Sequence, residues 1–570
     1  MRGKFIVYFF ALLLAPLFIL TAATDLIAYE VGKIELHGYV ENQTAVRLED
    51  QYRNRGNEKG DLARFRSTFV VEAGVDLTDS VKANAIFKAY YEGSWDMDSN
   101  LIQTPKDNGR DSVIDGYSMH KDVLIREYFI RKYWKHSSIK VGAQQIVWGE
   151  SDLLRMSDII NPLDLSHRIF LEDFENVRIP LRAIDFRYEM PGPNRFMFEA
   201  VIIPEDFKAI RIASSGANWN PLAYRLPNGL ADIFAETMAS SWREYENQGL
   251  RNLQGGIRLK AIFGEWDFGV FAFHKRVEVP VAVVDKEFLY SGPFLGLAPA
   301  APGEPAYTSF LSSFMEDIAK PQGEWSNIAR IFSDNVDNII DMKYPWINTF
   351  GICFNVPEHR TGSIIRFESA FILDNPISYN CPDNLPAGLM GFVSMLPHIL
   401  DPTIVKTFDN VVDWAWPQTV EFELPAYDYK ESDVLQCMIG FDRPTWLKLL
   451  NPNMTWFITG QLFYKKIMDH DETMQTGMGE DGHGDQQLMA TLIGLTEYYN
   501  GYINPEAALM YDFESKTWLI RPQVRYQATE DLSITLGALW IGCKDNNGLA
   551  GDLGGFAKDD EAYLHVRYTF

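Results

Sequence analysis

The segment from Trp148 to Pro180 holds the densest group of side chains that could bind or select a solute. Apolar residues are interleaved there with charged and amide groups, namely Glu150, Asp152, Arg155, Asp158, Asn161, Asp164 and Arg168. An exposed loop gains nothing from so many apolar residues, whereas a loop folded into a lumen packs them while its carboxylates pair with wall arginines. We therefore predict that these residues, with Trp148, form a channel constriction or line a ligand site. A capped outer loop is the alternative.

Charged side chains of both signs also alternate with apolar ones in several extended segments. They are Arg64, Arg66, Glu72, Lys82, Lys88, Arg366, Glu368, Arg521, Arg525 and Arg567. Alternation with a period of two places one set on each face of a strand. The functional interpretation is a lumen wall whose charges tune passage. The structural interpretation is a salt-bridge network that only supports the wall, and the sequence leaves both open.

Motifs for catalysis or metal binding are missing from the sequence. It contains no Gly-x-Ser-x-Gly and no His-Glu-x-x-His, and its ten histidines are scattered. The acidic stretch 468–486 offers oxygen ligands for calcium but lacks the spacing of a calcium-binding hand, so we expect a solvated loop. The four cysteines, Cys353, Cys381, Cys437 and Cys543, form no disulfide framework and no metal spacing. We expect no enzyme activity, no metal and no cofactor; a catalytic dyad assembled across strands is the alternative.

An export signal is predicted over residues 1–23. Two basic residues precede the apolar run 5–20, which Pro16 interrupts, and small residues follow at 21–23. The run is shorter than the roughly 20 residues that a membrane helix needs, so cleavage is favoured over an anchor. Cleavage after Ala23 leaves residues 24–570 as one domain, and cleavage after Ala28 is the alternative.

Apolar and polar residues alternate in many short segments of that domain. Residues 560–570 are an example, because Ala562, Leu564, Val566, Tyr568 and Phe570 alternate with more polar residues. No later run is long enough for a membrane helix, so a membrane protein of this sequence must be a closed barrel, which leaves no backbone group unpaired. We predict 18 strands, with 16 as the alternative, over 34–47, 63–77, 81–92, 123–134, 138–147, 181–189, 195–203, 252–263, 265–275, 349–356, 362–374, 435–443, 455–467, 487–499, 504–512, 515–527, 531–543 and 560–570.

Connection lengths support the same fold class, a transmembrane antiparallel β-barrel. Every second connection is short, and most of those between are long, as in barrels with periplasmic turns and outer loops. Two connections depart from this pattern. The connection 513–514 is short where a long loop is expected, and the connection 444–454 is long where a short turn is expected. The stretch 444–452 is bounded by prolines and predicts a short helix at the inner rim.

Composition limits the partners. The formal net charge is −25, which argues against nucleic acid, and aromatic residues make up 14% of the chain, which suits girdles at the membrane interfaces. Outer-membrane lipid is therefore the expected surrounding. Tyr568 and Phe570 lie on the lipid side of the predicted closing strand and form a candidate signal for the barrel assembly machinery, which would pair with that strand before closure.

Two sequence motifs resemble those of a proteobacterial outer-membrane protein family catalogued as a domain of unknown function. Residues 142–152 read GAQQIVWGESD, and residues 158–164 read DIINPLD. Similar family motifs are a strand ending in GxQxxxWGE followed by NPxD. The stretch 443–452 and the strand ending at Phe570 are similar too, so the resemblance covers nearly the whole chain.

The resemblance implies a barrel often encoded beside exporters of the resistance–nodulation–division type and beside a periplasmic carrier. It also implies transport of a hydrophobic molecule or lipid, without catalytic residues to carry over. Together with the strand pattern, it predicts an outer-membrane channel for a hydrophobic or small solute. The alternative is a structural barrel that conducts nothing and docks a periplasmic partner.

Overall fold

A computed structural model describes residues 30–31, 34–50, 58–97, 118–152, 154–167, 174–192, 195–213, 219, 245, 248–284, 340–378, 429–471, 474, 476–479, 482–544, 551–557 and 559–570. The predicted export signal, residues 1–23, lies outside the described residues. So do Arg168, Cys381 and part of the acidic stretch 468–486.

Within the described residues, 18 antiparallel strands close the barrel, which confirms the predicted fold class and strand count. A further two-residue strand, Glu30–Val31, belongs to the same sheet and pairs with Ile34 and Glu35. We number these barrel strands in chain order. They are β1 Ile34–Arg47, β2 Leu62–Thr78, β3 Val81–Glu92, β4 Lys121–Tyr133, β5 Ser137–Gln144, β6 Leu181–Glu189, β7 Met197–Ile203, β8 Gln254–Phe263, β9 Trp266–Arg276, β10 Trp346–Glu358, β11 Ser363–Ser378, β12 Tyr429–Thr445, β13 Trp456–Ile467, β14 Gln486–Leu495, β15 Ile503–Asp512, β16 Trp518–Gln527, β17 Leu532–Gly542 and β18 Glu561–Thr569.

The barrel closes where β18 pairs with β1, from Tyr39 opposite Thr569 to Arg47 opposite Glu561. Two further backbone hydrogen bonds, both 2.9 Å long, join Gly38 to Phe570. The Phe570 ring stacks on Phe69 with a centroid distance of 6.2 Å. Because Phe69 is exposed and belongs to the outward set of β2, the terminal aromatic lies on the lipid face.

Side-chain burial follows the predicted alternation. Met438 is buried while its neighbour Ile439 is exposed, and Leu519 and Ile520 show the same contrast. Exposed aromatic residues gather at the end with short connections, namely Tyr133, Trp134, Tyr188, Trp266, Trp446, Tyr499, Tyr502 and Tyr526. Such a band matches the aromatic girdle of a membrane interface.

Connection lengths alternate around the barrel as predicted. The short connections, such as 79–80 and 264–265, define what we call the turn end, and the long ones, such as 145–180 and 379–428, define the loop end. Residues 513–517 are a short connection at the loop end, also as predicted.

The predicted helix over 444–452 is wrong. Pro444 and Thr445 belong to β12, and a single turn follows, in which the amides of Leu450 and Asn451 both donate to Leu447 O at 2.9 Å. The Asn451 side chain donates to Thr496 Oγ1 and Glu497 O, which binds this turn to the adjacent one. Residues 446–455 therefore form a turn held by Asn451 and not a helix.

Some predicted strand ends also differ from the structure. Strand β14 ends at Leu495 rather than 499, because Tyr499 and Asn500 adopt positive φ values of 52° and 57° in a turn. Strand β5 ends at Gln144 rather than 147, because the chain turns into the barrel there. In the described part of the chain, no helix is long and apolar enough to cross a membrane.

Five loop-end connections form additional structure, namely those after β3, β5, β7, β9 and β17. Asp164–Leu165 pairs in parallel with Arg211–Ile212, and Val281–Val284 pairs with Ile340–Lys343. Short helices form at Ser94–Met97, Phe174–Val177 and Gly551–Gly554, with a 3-10 turn at Gly249–Asn252. These pieces bring the connections that follow β5, β7 and β9 into contact with one another.

Candidate channel constriction

The connection after β5 enters the barrel and spans its interior. We call residues 145–167 and 174–180 the inner segment. On one side it contacts Arg366 and Glu368 of β11, and on the other it contacts Arg64 of β2. Strands β2 and β11 are nine positions apart in the ring of 18, so the inner segment connects opposite walls.

Asn161 closes the neck of the inner segment, where the chain enters and leaves. Its Oδ1 accepts from the Ile146 amide at 2.8 Å, and its Nδ2 donates to Gln144 O at 3.3 Å and to Ile179 O at 2.9 Å. Asn161 is fully buried. A buried amide that joins three backbone groups fixes the two arms of the loop side by side.

Three other residues of the resembling motif explain the path of the neck. Gly142 has a φ of 138°, and a Cβ there would lie 2.2 Å from Tyr128 O. A Cβ at Gly149 would lie 2.6 Å from the Asp158 amide nitrogen, so both positions require glycine. Trp148 is buried against Phe271 and Phe273 of β9, each with a ring-centroid distance of 5.5 Å. Trp148 therefore anchors the neck and does not line an open passage.

Two side chains of β11 hold the tip of the inner segment, residues 150–157. Arg366 Nη2 donates to Asp152 Oδ2 at 2.6 Å, and its Nη1 donates to Glu150 O at 2.6 Å. Glu368 accepts from Ser157 Oγ at 2.6 Å and from the Glu150 amide at 2.5 Å. Both predicted wall residues thus bind the predicted constriction.

Neighbouring strands add further contacts to the tip. Gln461 of β13 donates through Nε2 to Asp152 Oδ2 at 2.8 Å. Asn355 of β10 donates to the Glu150 carboxylate, and Lys260 of β8 lies 3.8 Å from it. Glu150 and Asp152 keep side chains about one-third exposed, so they face the remaining lumen.

A buried ionic network joins the inner segment to the next connections. Asp158 accepts from Arg178 Nε at 2.8 Å, and Arg155 lies 3.5 Å from both Asp158 and Glu278. Lys275 of β9 donates to Ile159 O at 2.5 Å and also pairs with Glu278. Arg155 and Asp158 therefore support the fold of the segment.

The far end of the inner segment meets β1 to β3. Arg64 Nη2 donates to His167 O at 2.9 Å, and the His167 ring packs edge-on against Tyr90 at 5.7 Å. A cleft between the segment and the wall is lined by Tyr39, Glu41, Gln43, Arg66, Thr68, Lys88, Asp164, His167, Asn176 and Val177. Asp164 itself accepts from Arg211 Nη1 at 3.4 Å.

His167 has a strongly perturbed acidity. Burial lowers its pKa well below the usual histidine value, and the positive charges of Arg66, Lys88, Arg64 and Arg211 lower it further. The imidazole is therefore neutral near pH 7.

Five other predicted wall residues also point inward but are placed away from the inner segment, namely Glu72, Lys82, Arg521, Arg525 and Arg567. Glu72 accepts from Asn84 Nδ2 at 2.7 Å, and Arg521 donates to Glu506 Oε1 at 2.8 Å. Arg567 donates to Glu41 Oε2 at 2.6 Å. Lys82 is largely exposed beside Asp76 at the turn end, and Arg525 is exposed on the same face as Arg521. Of the predicted wall set, Arg64, Arg366 and Glu368 form hydrogen bonds with the segment, and Arg66 and Lys88 line the cleft beside it.

The lumen face is not polar throughout. Met156 of the tip packs in a buried apolar cluster with inward side chains of β12 to β17, and loop residues cover that cluster. Its members are Met156, Trp219, Met438, Phe463, Met489, Met510, Leu519, Leu539, Ile541, Leu553 and Phe556. These apolar inward residues were not predicted as part of the site, although they follow the same alternation as the charged ones.

Acidic residues in the stretch after β13 pair with lysines of the adjacent strands. Asp471 accepts from Lys430 Nζ at 2.8 Å, and Asp485 pairs with Lys466. The Lys466 hydrogen bond lowers the pKa of Asp485. Among the described residues, no three His, Cys, Asp or Glu side chains group as metal ligands.

Comparison with known proteins identifies the family. Residues 10–570 match the family described as protein of unknown function, DUF1302. The chain belongs to this family. The motif residues Gly142, Trp148, Gly149 and Asn161 in this DUF1302 protein are the ones that build the neck. No curated protein matches the sequence.

Several solved structures match over nearly the whole chain. OccAB1 of Acinetobacter baumannii is 8% identical, with a TM-score of 0.43, over 95% of this chain and 97% of that chain. OpdK of Pseudomonas aeruginosa, in a structure with vanillate, is 8% identical, with a TM-score of 0.40 and coverages of 95% and 99%. OmpT, an outer membrane protein of Vibrio cholerae, is 7% identical, with a TM-score of 0.33 and coverages of 95% and 100%. By its own strand pairing, this DUF1302 protein is a closed antiparallel β-barrel.

Proposed function

We propose that this protein is an outer-membrane channel for a small or hydrophobic solute, narrowed by the inner segment. The observation that carries the proposal is the contact of one connection with opposite walls, at Arg64 and at Arg366 with Glu368. A strand connection could gain the same stability by packing outside the barrel, so stability alone does not require it to lie inside. Its placement across the lumen therefore supports a role in controlling passage.

The mixed surface of the lumen supports the solute class. The wall near the tip carries charged side chains, whereas the cluster around Met156 is apolar. A hydrophobic solute would leave water and contact this apolar surface. Burial of apolar area would stabilise the bound solute by about 25 cal/mol per Å². The charged groups around Asp152 would set orientation and exclude ions of one sign.

A second candidate function is a barrel that conducts nothing and docks a periplasmic partner. It is favoured by the burial of Met156, Leu553 and Phe556 together, since loop residues and wall residues fill this part of the interior. The partners proposed for either function are outer-membrane lipid and the barrel assembly machinery. An exporter of the resistance–nodulation–division type and a periplasmic carrier are proposed from the family resemblance alone.

Single-channel recording of the purified barrel in planar lipid separates the two functions. The channel proposal expects discrete KCl conductance from the parent. Deletion of residues 151–173 should raise that conductance several-fold, because the obstruction is removed.

A heat-modifiable gel shift must show that the deletion variant is folded. A folded variant that keeps the parent conductance would contradict the narrowing role. A parent with no conductance, and a deletion variant that conducts, would favour the docking function.

A further inference from the structure

Three cations stand side by side on the inner wall at the turn end of β3, β4 and β5. Lys82 lies directly opposite Arg131, and Arg131 lies directly opposite Lys140. Lys82 points inward, and residues opposite one another in a sheet lie on the same face, so all three face the lumen. We call them the cation row. Like charges directly opposite one another destabilise a sheet, and a bound anion would offset this repulsion.

The carboxylates at the two ends of the cation row do not neutralise it. At one end, Asp76 lies 3.1 Å from Lys82. At the other end, Asp185 lies opposite Lys140 but pairs with Arg187 at 3.0 Å. Of the three cations, only Lys82 forms an ion pair with a described residue.

The other two cations contact aromatic rings instead. The Arg131 guanidinium lies 5.8 Å from the centroid of the Tyr133 ring, and its Nη1 donates to Tyr133 Oη at 3.3 Å. Lys140 is buried, and its Nζ lies 3.9 Å from the centroid of the Phe129 ring. Arg131 Nε has no hydrogen-bond partner among the described residues. Most donors of this guanidinium are therefore left for an anion.

An open space lies beside the cation row, over Gly74 of β2. Its volume is about 210 Å³, and its lining includes Gly74, Lys82, Asn84, Phe129, Arg131 and Tyr133. A Cβ at Gly74 would meet no atom within 4 Å, so the space opens directly over this glycine. A single water needs only about 10–15 Å³ of such space, so a small organic molecule fits.

The charges around this space are separated. The two carboxylates in its lining are Glu35 of β1, three strands from β4, and Asp76 of β2, which holds Lys82. The side toward β4 and β5 carries Arg131, with Lys140 behind it. A ligand with one anionic group would therefore place that group against Arg131, where charge-assisted hydrogen bonds are strong.

We propose that the cation row and the space over Gly74 form a binding site for a small organic anion, a carboxylate attached to an apolar body. Arg131 donates to the carboxylate, and Lys140 adds positive charge behind it. The rings of Phe129 and Tyr133 contact the apolar body, whose burial supports binding. The site goes beyond the proposed channel function, because binding does not require conduction.

Isothermal titration calorimetry of the purified barrel in detergent tests this site. Benzoate is the anionic probe, and benzamide is its uncharged analogue. The parent should bind benzoate and not benzamide. Arg131→Met should weaken benzoate binding at least about tenfold, the loss expected from removing hydrogen bonds to a charged group. Gly74→Leu leaves every charge in place but fills the space, and it should weaken binding as much.

The matched control is Arg525→Met. Arg525 is another inward arginine at the turn end, on β16. It lies opposite Asn504 and Thr535, so no cation stands beside it in the sheet. This variant should bind benzoate like the parent.

Four outcomes would overturn the site. They are a parent that does not bind benzoate, a parent that binds benzamide equally well, an equal loss in Arg131→Met and Arg525→Met, and unchanged binding in Gly74→Leu. Arg131→Gln replaces the methionine variant if a heat-modifiable gel shift shows that the latter does not fold. A parent that binds benzoate but conducts no KCl contradicts the channel function alone, so the two failures are distinguishable.

Discussion

The neck and the tip of the inner segment are held by different chemistry. At the neck, the neutral side chain of Asn161 binds three backbone groups in a dry site. At the tip, charged side chains bind one another, and Asp152 stays 39% exposed beside Arg366. Dry amide bonds to the backbone resist opening, whereas partly exposed ion pairs are weak and exchange readily with water.

This difference indicates which part can move. The neck fixes where the connection enters the barrel. At the tip, the partly exposed pair of Asp152 with Arg366 opens to water more readily than the buried contacts of Ser157 and Met156 with the wall. A passage could then widen through loss of the contact between Asp152 and Arg366. The largest effects of substitution are expected at the neck.

Asn161→Leu should have the largest effect on stability. It removes three buried hydrogen bonds and leaves an amide and two carbonyls without their partner, at about 1–3 kcal/mol for each buried group. We expect a total loss of about 3 kcal/mol or more. The measurement is the temperature at which heat-modifiability is lost in detergent. An unchanged temperature would contradict the claim that the neck is held more strongly than the tip.

Arg366→Met should affect conductance more than stability. It leaves Asp152 and Asp442 near each other without the guanidinium that now binds both. Their repulsion should release the tip and raise KCl conductance about twofold. The matched control is Arg521→Met, because Arg521 pairs with Glu506 of the adjacent strand and not with the segment. Equal conductance changes in the two variants would show that general wall charge, and not the tip, controls the current.

Acid should loosen the far end of the inner segment through His167. Its folded pKa is lowered, so its contribution to stability is complete above the ordinary value of about 6.5 and is lost as pH falls below it. Unfolding temperature should therefore decrease from pH 7.5 to pH 5. The variant His167→Gln should show a smaller decrease, and the same decrease in both proteins would assign the acid sensitivity to another group.

The smallest effect is expected outside the inner segment, at the Asp485 and Lys466 pair. The pKa of Asp485 is lowered, so its contribution is present above the ordinary carboxyl value and lost as pH falls through the folded one. The pair is exposed to water, which screens it. Asp485→Asn should leave conductance at pH 7 unchanged, and a change comparable to that of Arg366→Met would contradict the special role of the tip.

Much of the architecture could be predicted from alternation and connection length. Strand β18 and its pairing with β1 follow from a period of two, which specifies both faces. That Asp152 would pair with some basic side chain could be predicted, because a carboxylate inside a barrel is stabilised by a nearby cation. Its specific pairing with Arg366 could not be predicted, because alternation shows which face of a strand a residue lies on and does not identify contacts across the lumen.

Other features of the site could not be predicted from the sequence. Trp148 and Asn161 were predicted to line a passage, but both are buried in the neck, where polarity alone does not distinguish a ligand contact from a backbone clamp. Ser157 of the tip and Gln461 of β13 join the tip to the wall and were not predicted, because neutral side chains are common and carry no pattern. The early end of β5 depends on where Asn161 binds, so local preference could not locate it.

The central claim is that the tip, attached to β11 and β13, narrows the lumen. A reversible disulfide tests it directly, with Asp152→Cys and Gln461→Cys in a background whose four native cysteines are changed to serine. The two native side chains are joined by a 2.8 Å hydrogen bond. Single-channel conductance in planar lipid is recorded before and after addition of a reductant to the oxidised barrel. We predict a low, steady conductance when oxidised and larger, fluctuating conductance after reduction; the same conductance in both states would contradict the account.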